Sequence, residues 1–246
     1  MPDEKTAAFL AAYDRFFDRA DLRGAGICLT DAYEKAKSER DNRFLFTILN
    51  EMMGYYRQTG EKERGLAAVY EGLALTAQLG LETTVAGATA YLNAATTLKA
   101  FGRAAEGLPY YRKAETLYRR LLPGNDPRIA NLCNNMALAL VDLSEWREAE
   151  EKYTEALSIL NRNEGKQKDI ANTYVNLAHF YDKREDYEKL EACLKRAAEA
   201  LDSDPVRNPY YAYTCRKCAP SFGYFGWFLY EKELRDRADR IYAGEA

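Results

Sequence analysis

Histidine is nearly absent from this chain: there is one, His179, in 246 residues. That removes the paired-histidine metal sites and most histidine-based acid–base constellations from consideration. Proline is missing between residues 3 and 108, so nothing in that stretch interrupts a helix. No apolar run reaches membrane-spanning length, and the charged opening MPDEKTAAFLAAYDRFFDR lacks the apolar core of a secretion signal. No Gly-rich phosphate loop, nucleophile elbow or Asn-Gly hairpin signal occurs. The net charge of −3 provides no bulk attraction for nucleic acid. The five cysteines are an odd number, which fits a reducing compartment. The expectation is a cytoplasmic, non-enzymatic protein that needs no cofactor and binds neither nucleic acid nor membrane.

What is present is helix. Ala, Leu, Glu, Lys, Arg and Tyr are common, and apolar residues recur with a 3.6-residue period. The clearest case is 131–160. Cys133, Met136, Ala137 and Leu140 form one stripe; after a turn near Ser144, Trp146, Ala149, Tyr153 and Ala156 form a second. Large residues in one stripe oppose small ones in the other, which suits close packing of two antiparallel helices. The same layout recurs. Leu49, Met52, Met53 and Tyr56 precede Gly60, then Val69 and Gly72. Tyr91, Ala94, Ala95 and Leu98 precede Gly102, then Gly107, Tyr111 and Ala114. Tyr174, Leu177, Ala178 and Tyr181 precede Glu185, then Tyr187, Leu190, Leu194 and Ala197. The turn positions are 41 or 42 residues apart.

This order of bulky and small residues resembles the tetratricopeptide repeat. The common unit has about 34 residues; the extra length equals about one added turn on each helix. The resemblance is therefore to the long-helix branch, similar to the repeats of kinesin light chain and of bacterial peptide-sensing regulators. It implies an all-α fold, a right-handed α-α superhelix of hairpins. One domain over 1–246 is expected, with hairpins at roughly 5–40, 42–80, 83–122, 126–162 and 169–202. The first is degenerate, as a terminal unit would be; Leu22, Ala25, Leu29 and Ala32 carry its second stripe. No room is expected before it for the DNA-binding helix-turn-helix of the regulators. Residues 203–246 form an atypical last hairpin. There the favoured register aligns Phe222, Phe225, Gly226, Leu229, Ala238 and Tyr242 with the repeat and leaves 209–219 as an added turn or kinked arm.

In such stacks the first helices line the concave side. A polar stripe runs beside their core positions: Thr47, Glu51, Gly54 and Gln58; then Thr89, Asn93, Thr96 and Ala100; then Asn131, Asn135, Leu138 and Asp142; then Asn172, Asn176, His179 and Lys183. Asn93, Asn135 and Asn176 share one slot, with Asn131 and Asn172 a turn earlier. Asn inside a helix costs about 0.6 kcal/mol relative to Ala, so the ladder points to a use. A carboxamide both donates and accepts hydrogen bonds, and the resemblance implies that such residues hold an extended peptide. Asn93, Asn135 and Asn176 are the candidate peptide-backbone ligands, with Asn131, Asn172, Glu51, His179 and Lys183 tuning selectivity. The alternative is a solvated polar face, or Asn side chains bonding between neighbouring helices.

Two further features carry other readings. Cys215 and Cys218 have the spacing of a metal or redox pair, but no second Cys-x-x-Cys exists to complete a zinc site; two packed cysteines are the alternative. Phe222–Tyr230 is dense in aromatics, which suits the closing helix of the stack or a homodimer surface.

Overall fold

The computed structural model describes residues 3–245. Among them are twelve helices and no strand: α1 (Glu4–Asp18), α2 (Leu22–Glu39), α3 (Asn42–Thr59), α4 (Lys62–Gln78), α5 (Val85–Ala100), α6 (Ala104–Leu121), α7 (Pro127–Asp142), α8 (Trp146–Leu160), α9 (Gln167–Lys183), α10 (Tyr187–Asp202), α11 (Pro209–Tyr224) and α12 (Phe228–Ala243). They fall into two compact units, Met1–Trp146 and Arg147–Ala246.

One device repeats at every odd-to-even turn. Ala20, Gly60, Gly102, Ser144, Glu185 and Gly226 all have positive φ. The amide after each reaches back five residues: Asp21 to Phe16, Glu61 to Tyr56, Arg103 to Leu98, Glu145 to Leu140, Asp186 to Tyr181 and Trp227 to Phe222, at 2.8–3.1 Å. This closes the orphan carbonyls of the ending helix and turns the chain. Aspartates cap α2, α3 and α10: Asp21, Asp41 and Asp186 accept from the Gly24, Phe44 and Lys189 amides.

In the first unit, Leu29, Ile48, Leu49, Met53, Val69 and Leu98 are buried together with Tyr13 and Tyr56. In the third hairpin the two helices approach closely. Gly107 lies so near α5 that a Cβ there would sit 2.8 Å from the Ala95 carbonyl oxygen. Tyr111 and Ala114 follow on the same buried face.

In the second unit, Ala149, Tyr153 and Ala156 are buried, as are Leu177, Ala178, Tyr181, Leu190, Leu194 and Ala197. Tyr187 departs from the expected stripe and is 64% exposed. It is the first residue of α10. Helical side chains lean toward the N-terminus, so this one projects past the helix end.

The last hairpin also differs from the favoured register. Residues 209–219 are part of one continuous helix with Phe222, and the chain turns at Gly226, 41 residues after Glu185. Phe222 and Leu229 therefore lie on different helices; Phe222 is fully buried and Leu229 is 88% exposed. The phase of the repeat persists because Asn208 caps and Pro209 starts α11. Pro220 is accommodated inside the helix, on its exposed side.

Candidate peptide-binding face

In the first unit, α5 lies beside both α3 and α7. Asn93 on α5 donates from Nδ2 to Asn50 Oδ1 on α3 at 3.0 Å. Asn50 in turn donates to the Phe46 carbonyl of its own helix at 2.8 Å. The chain of bonds fixes how the Asn93 amide is turned: its nitrogen is used, and its oxygen is left to accept. Arg57 reaches across from α3 to Thr97 Oγ1 at 2.9 Å and to the Asn93 carbonyl at 3.3 Å. Thr97 is fully buried and also donates to the Asn93 carbonyl at 2.8 Å.

On α7, Asn135 donates to both the backbone carbonyl and the Oδ1 of Asn131, at 2.8 and 2.6 Å. Its own Oδ1 is again the acceptor left over. Asn131 is exposed and Asn135 half-buried. Beyond them, Lys99 on α5 lies 3.4 Å from Asp142 at the end of α7.

Two positions of the expected stripe are engaged elsewhere. The Thr89 hydroxyl lies 2.8 Å from Tyr118 OH, and Tyr111 OH donates to Thr96 at 3.1 Å, both tyrosines belonging to α6. Glu51 is half-buried. Burial, then the negative charge of Asp14 on α1, push its carboxyl above the ordinary 4.5, against a smaller pull from Arg57. Nearby, the buried Tyr13 hydroxyl has no hydrogen-bond partner.

In the second unit, α9 and α11 are neighbours. Asn172 and Asn176 are half-buried on α9, and Lys183 is exposed at its last residue. His179 Nε2 lies 2.8 Å from Ser221 Oγ, with its ring 4.8 Å from that of Phe225 and 5.8 Å from that of Tyr224. Burial lowers its pKa below 6.5, opposed by Asp182. Tyr210 and Tyr224 reach from α11 to Asp169 and Asp182 of α9, at 3.0 and 3.5 Å.

The structure thus brings Asn93, Asn131 and Asn135 to adjacent helices of the first unit, and Asn172, Asn176, His179 and Lys183 to one helix of the second. Sequence reasoning missed Asn50 and Arg57. Their signal was the sequence offset, 43 residues from Asn50 to Asn93 and 40 from Arg57 to Thr97, each near one repeat length.

Cys215 and Cys218 are both fully buried on α11, and burial pushes each thiol up to about 12. Among the described residues, no three His, Cys, Asp or Glu side chains are grouped to hold a metal. The aromatic stretch divides. Phe222 is core, Phe225, Trp227 and Tyr230 are half-buried, and Tyr224, Phe228 and Leu229 stand 70%, 70% and 88% exposed. No described helix is long and apolar enough to cross a membrane.

Comparison with known proteins agrees with the helical-repeat fold. Residues 88–162 and 173–206 each match a tetratricopeptide-repeat model. Among solved structures, BtubC (BKLC) from P. vanneervenii is similar at 24% identity and a TM-score of 0.65, covering 79% of each chain. A putative kinesin light chain from Podosopora anserina with nearly identical TPR-like repeats is similar at 15% identity and a TM-score of 0.53. That match covers 80% of this chain and 94% of the other. No curated protein matches the chain. Residues 88–162 and 173–206 are thus matched as tetratricopeptide repeats, and the twelve helices of the described residues stand in phased hairpins of the same helical-repeat fold.

Proposed function

We propose that the chain is a non-enzymatic scaffold that holds an extended segment of a partner protein along the polar face of α3, α5 and α7. The observation that carries this reading is the orientation of two carboxamides. Asn93 is turned by Asn50 and Asn135 by Asn131, each with its Oδ1 free to accept. A peptide backbone offers N–H donors at regular spacing, and acceptors fixed before binding lose little freedom when they pair. The bonds between asparagines, which could be only structural, therefore also serve to present these oxygens. Lys99 and Asp142 stand at one end of the same face and supply charges that favour one direction of the bound segment. Within the second unit, half-buried Asn172, Asn176 and His179, with Lys183 at the helix end, put polar groups of the same kind on α9.

The test begins with a ligand selected from a random peptide library against the intact chain. Its affinity is then measured by calorimetry for the wild type and for Asn93→Ala combined with Asn135→Ala. Each lost hydrogen bond is worth about 0.5–1.5 kcal/mol, so the pair weakens binding by roughly tenfold or more. An unchanged affinity in the double variant would sink the proposal.

A further inference from the structure

The second unit contains a cavity that the repeat pattern does not account for. It holds about 290 Å³ and is lined by Arg207, Tyr211, Arg237, Arg240, Ile241 and Glu245. Arg207 comes from the connection before α11, Tyr211 from the first turn of α11, and the rest from α12 and the residues just after it. Among the described lining residues, three arginines thus accompany one carboxylate, Glu245.

Two of the arginines are held rigidly. Arg207 donates to the Leu201 and Asp202 carbonyls at the end of α10, at 3.0 and 2.9 Å, and lies 4.2 Å over the ring of Tyr211. Arg237 donates to Asp202 Oδ1 at 2.7 Å and to Tyr211 OH at 3.1 Å, and it also pairs with Glu233. Neither Asp202 nor Glu233 lines the cavity. Arg240 differs. It is exposed, and its Nε donates to the Asp236 carbonyl at 3.3 Å. Among the described residues no carboxylate pairs with it. Arg207 likewise keeps N–H groups beyond the two it uses on α10. Glu245, the one acid of the lining, has no ion pair among the described residues.

From this arrangement we propose that the cavity binds a small molecule carrying an oxyanion, a phosphate or carboxylate, on a compact apolar body. Arg240 and the spare N–H groups of Arg207 grip the oxyanion, for which a planar guanidinium is well matched. Half-buried Ile241 takes the apolar part, and Tyr211, fully buried beneath Arg207, backs the cavity wall. Glu245 competes with the ligand for the arginines. The volume lies at the lower end of small-molecule sites and suits a compact ligand better than a length of peptide. None of these residues belongs to the proposed peptide-binding face.

Titration calorimetry at low salt, with phenyl phosphate and inorganic phosphate as probes on the intact chain, tests the assignment. The expected result is saturable binding of one phenyl phosphate, several-fold tighter than inorganic phosphate because the ring is buried. Arg240→Ala, at an exposed position, weakens it by about tenfold or more, and Glu245→Gln tightens it. Absence of saturable binding, or equal affinity in Arg240→Ala, overturns the site. Equal affinity for the two phosphates overturns the role of Ile241.

Discussion

Replacing Asp204 by Asn tests what fastens the second unit where α10 leads into α11. Lys168, in the first turn of α9, places Nζ 2.8 Å from Asp204 Oδ2, and the two side chains are only 9% and 2% exposed. The other carboxylate oxygen accepts the Val206 amide at 2.8 Å. Lys168 also lies 3.5 Å from the Val206 carbonyl and 6.0 Å from the Tyr210 ring centroid. At 2.8 Å and an effective dielectric of about 20, the gross attraction is about 6 kcal/mol. Desolvation of both ions offsets much of it, so the pair adds little over two apolar groups. Removing one partner is another matter. Asparagine keeps the shape and an acceptor for Val206 but leaves the ammonium buried with only a carbonyl and a ring. The expected loss is about 3–5 kcal/mol, read by urea denaturation and by faster hydrogen exchange at the start of α9. Adding Lys168→Met should recover much of the loss, since no buried ion then remains. A loss below about 1 kcal/mol, or one that vanishes in high salt, would refute the reasoning, because only a solvated pair behaves that way.

Two other outcomes follow from packing and charge. Gly107→Ala would stabilise an ordinary helix by about 1 kcal/mol, but its Cβ would meet the Ala95 carbonyl at 2.8 Å. A net loss of about 1–2 kcal/mol is expected. Gly54→Ala, whose Cβ meets nothing nearer than Arg57 at 3.8 Å, should instead gain about 0.5–1 kcal/mol; thermal melts of both variants check the contrast. Glu51→Gln should stabilise the chain near neutral pH. Folding raises this carboxyl above 4.5, so the folded state holds the proton more tightly. Its contribution is favourable below that value and is lost as pH rises through the folded pKa. Denaturation at about pH 7 and about pH 4 should show the gain shrinking at the lower pH; an equal gain at both would contradict it.

Local pattern determined much of this protein. The 3.6-residue stripes placed the helices and most of their buried faces, such as Cys133, Met136, Ala137 and Leu140, all fully buried. The phase of the turns was legible because each needs one residue of positive φ at a fixed point of the repeat. Gly60 and Gly102 announce it, and Ser144 and Glu185 follow by count. Other features depended on how neighbouring helices are rotated against one another, which no single helix encodes. Asn93 meets Asn50, 43 residues earlier, whereas Asn135 turns back to Asn131 within its own helix; the two share a slot in the repeat and differ in partner. Glu51 reads as a groove carboxylate, yet packing sets it beside Asp14 in a half-buried site. The aromatic run at 222–230 suggested one helix, until the turn at Gly226 divided it. The arginines of the cavity are 30 and 33 residues from Arg207 in sequence, and only the packing of α12 on α11 gathers them around Tyr211.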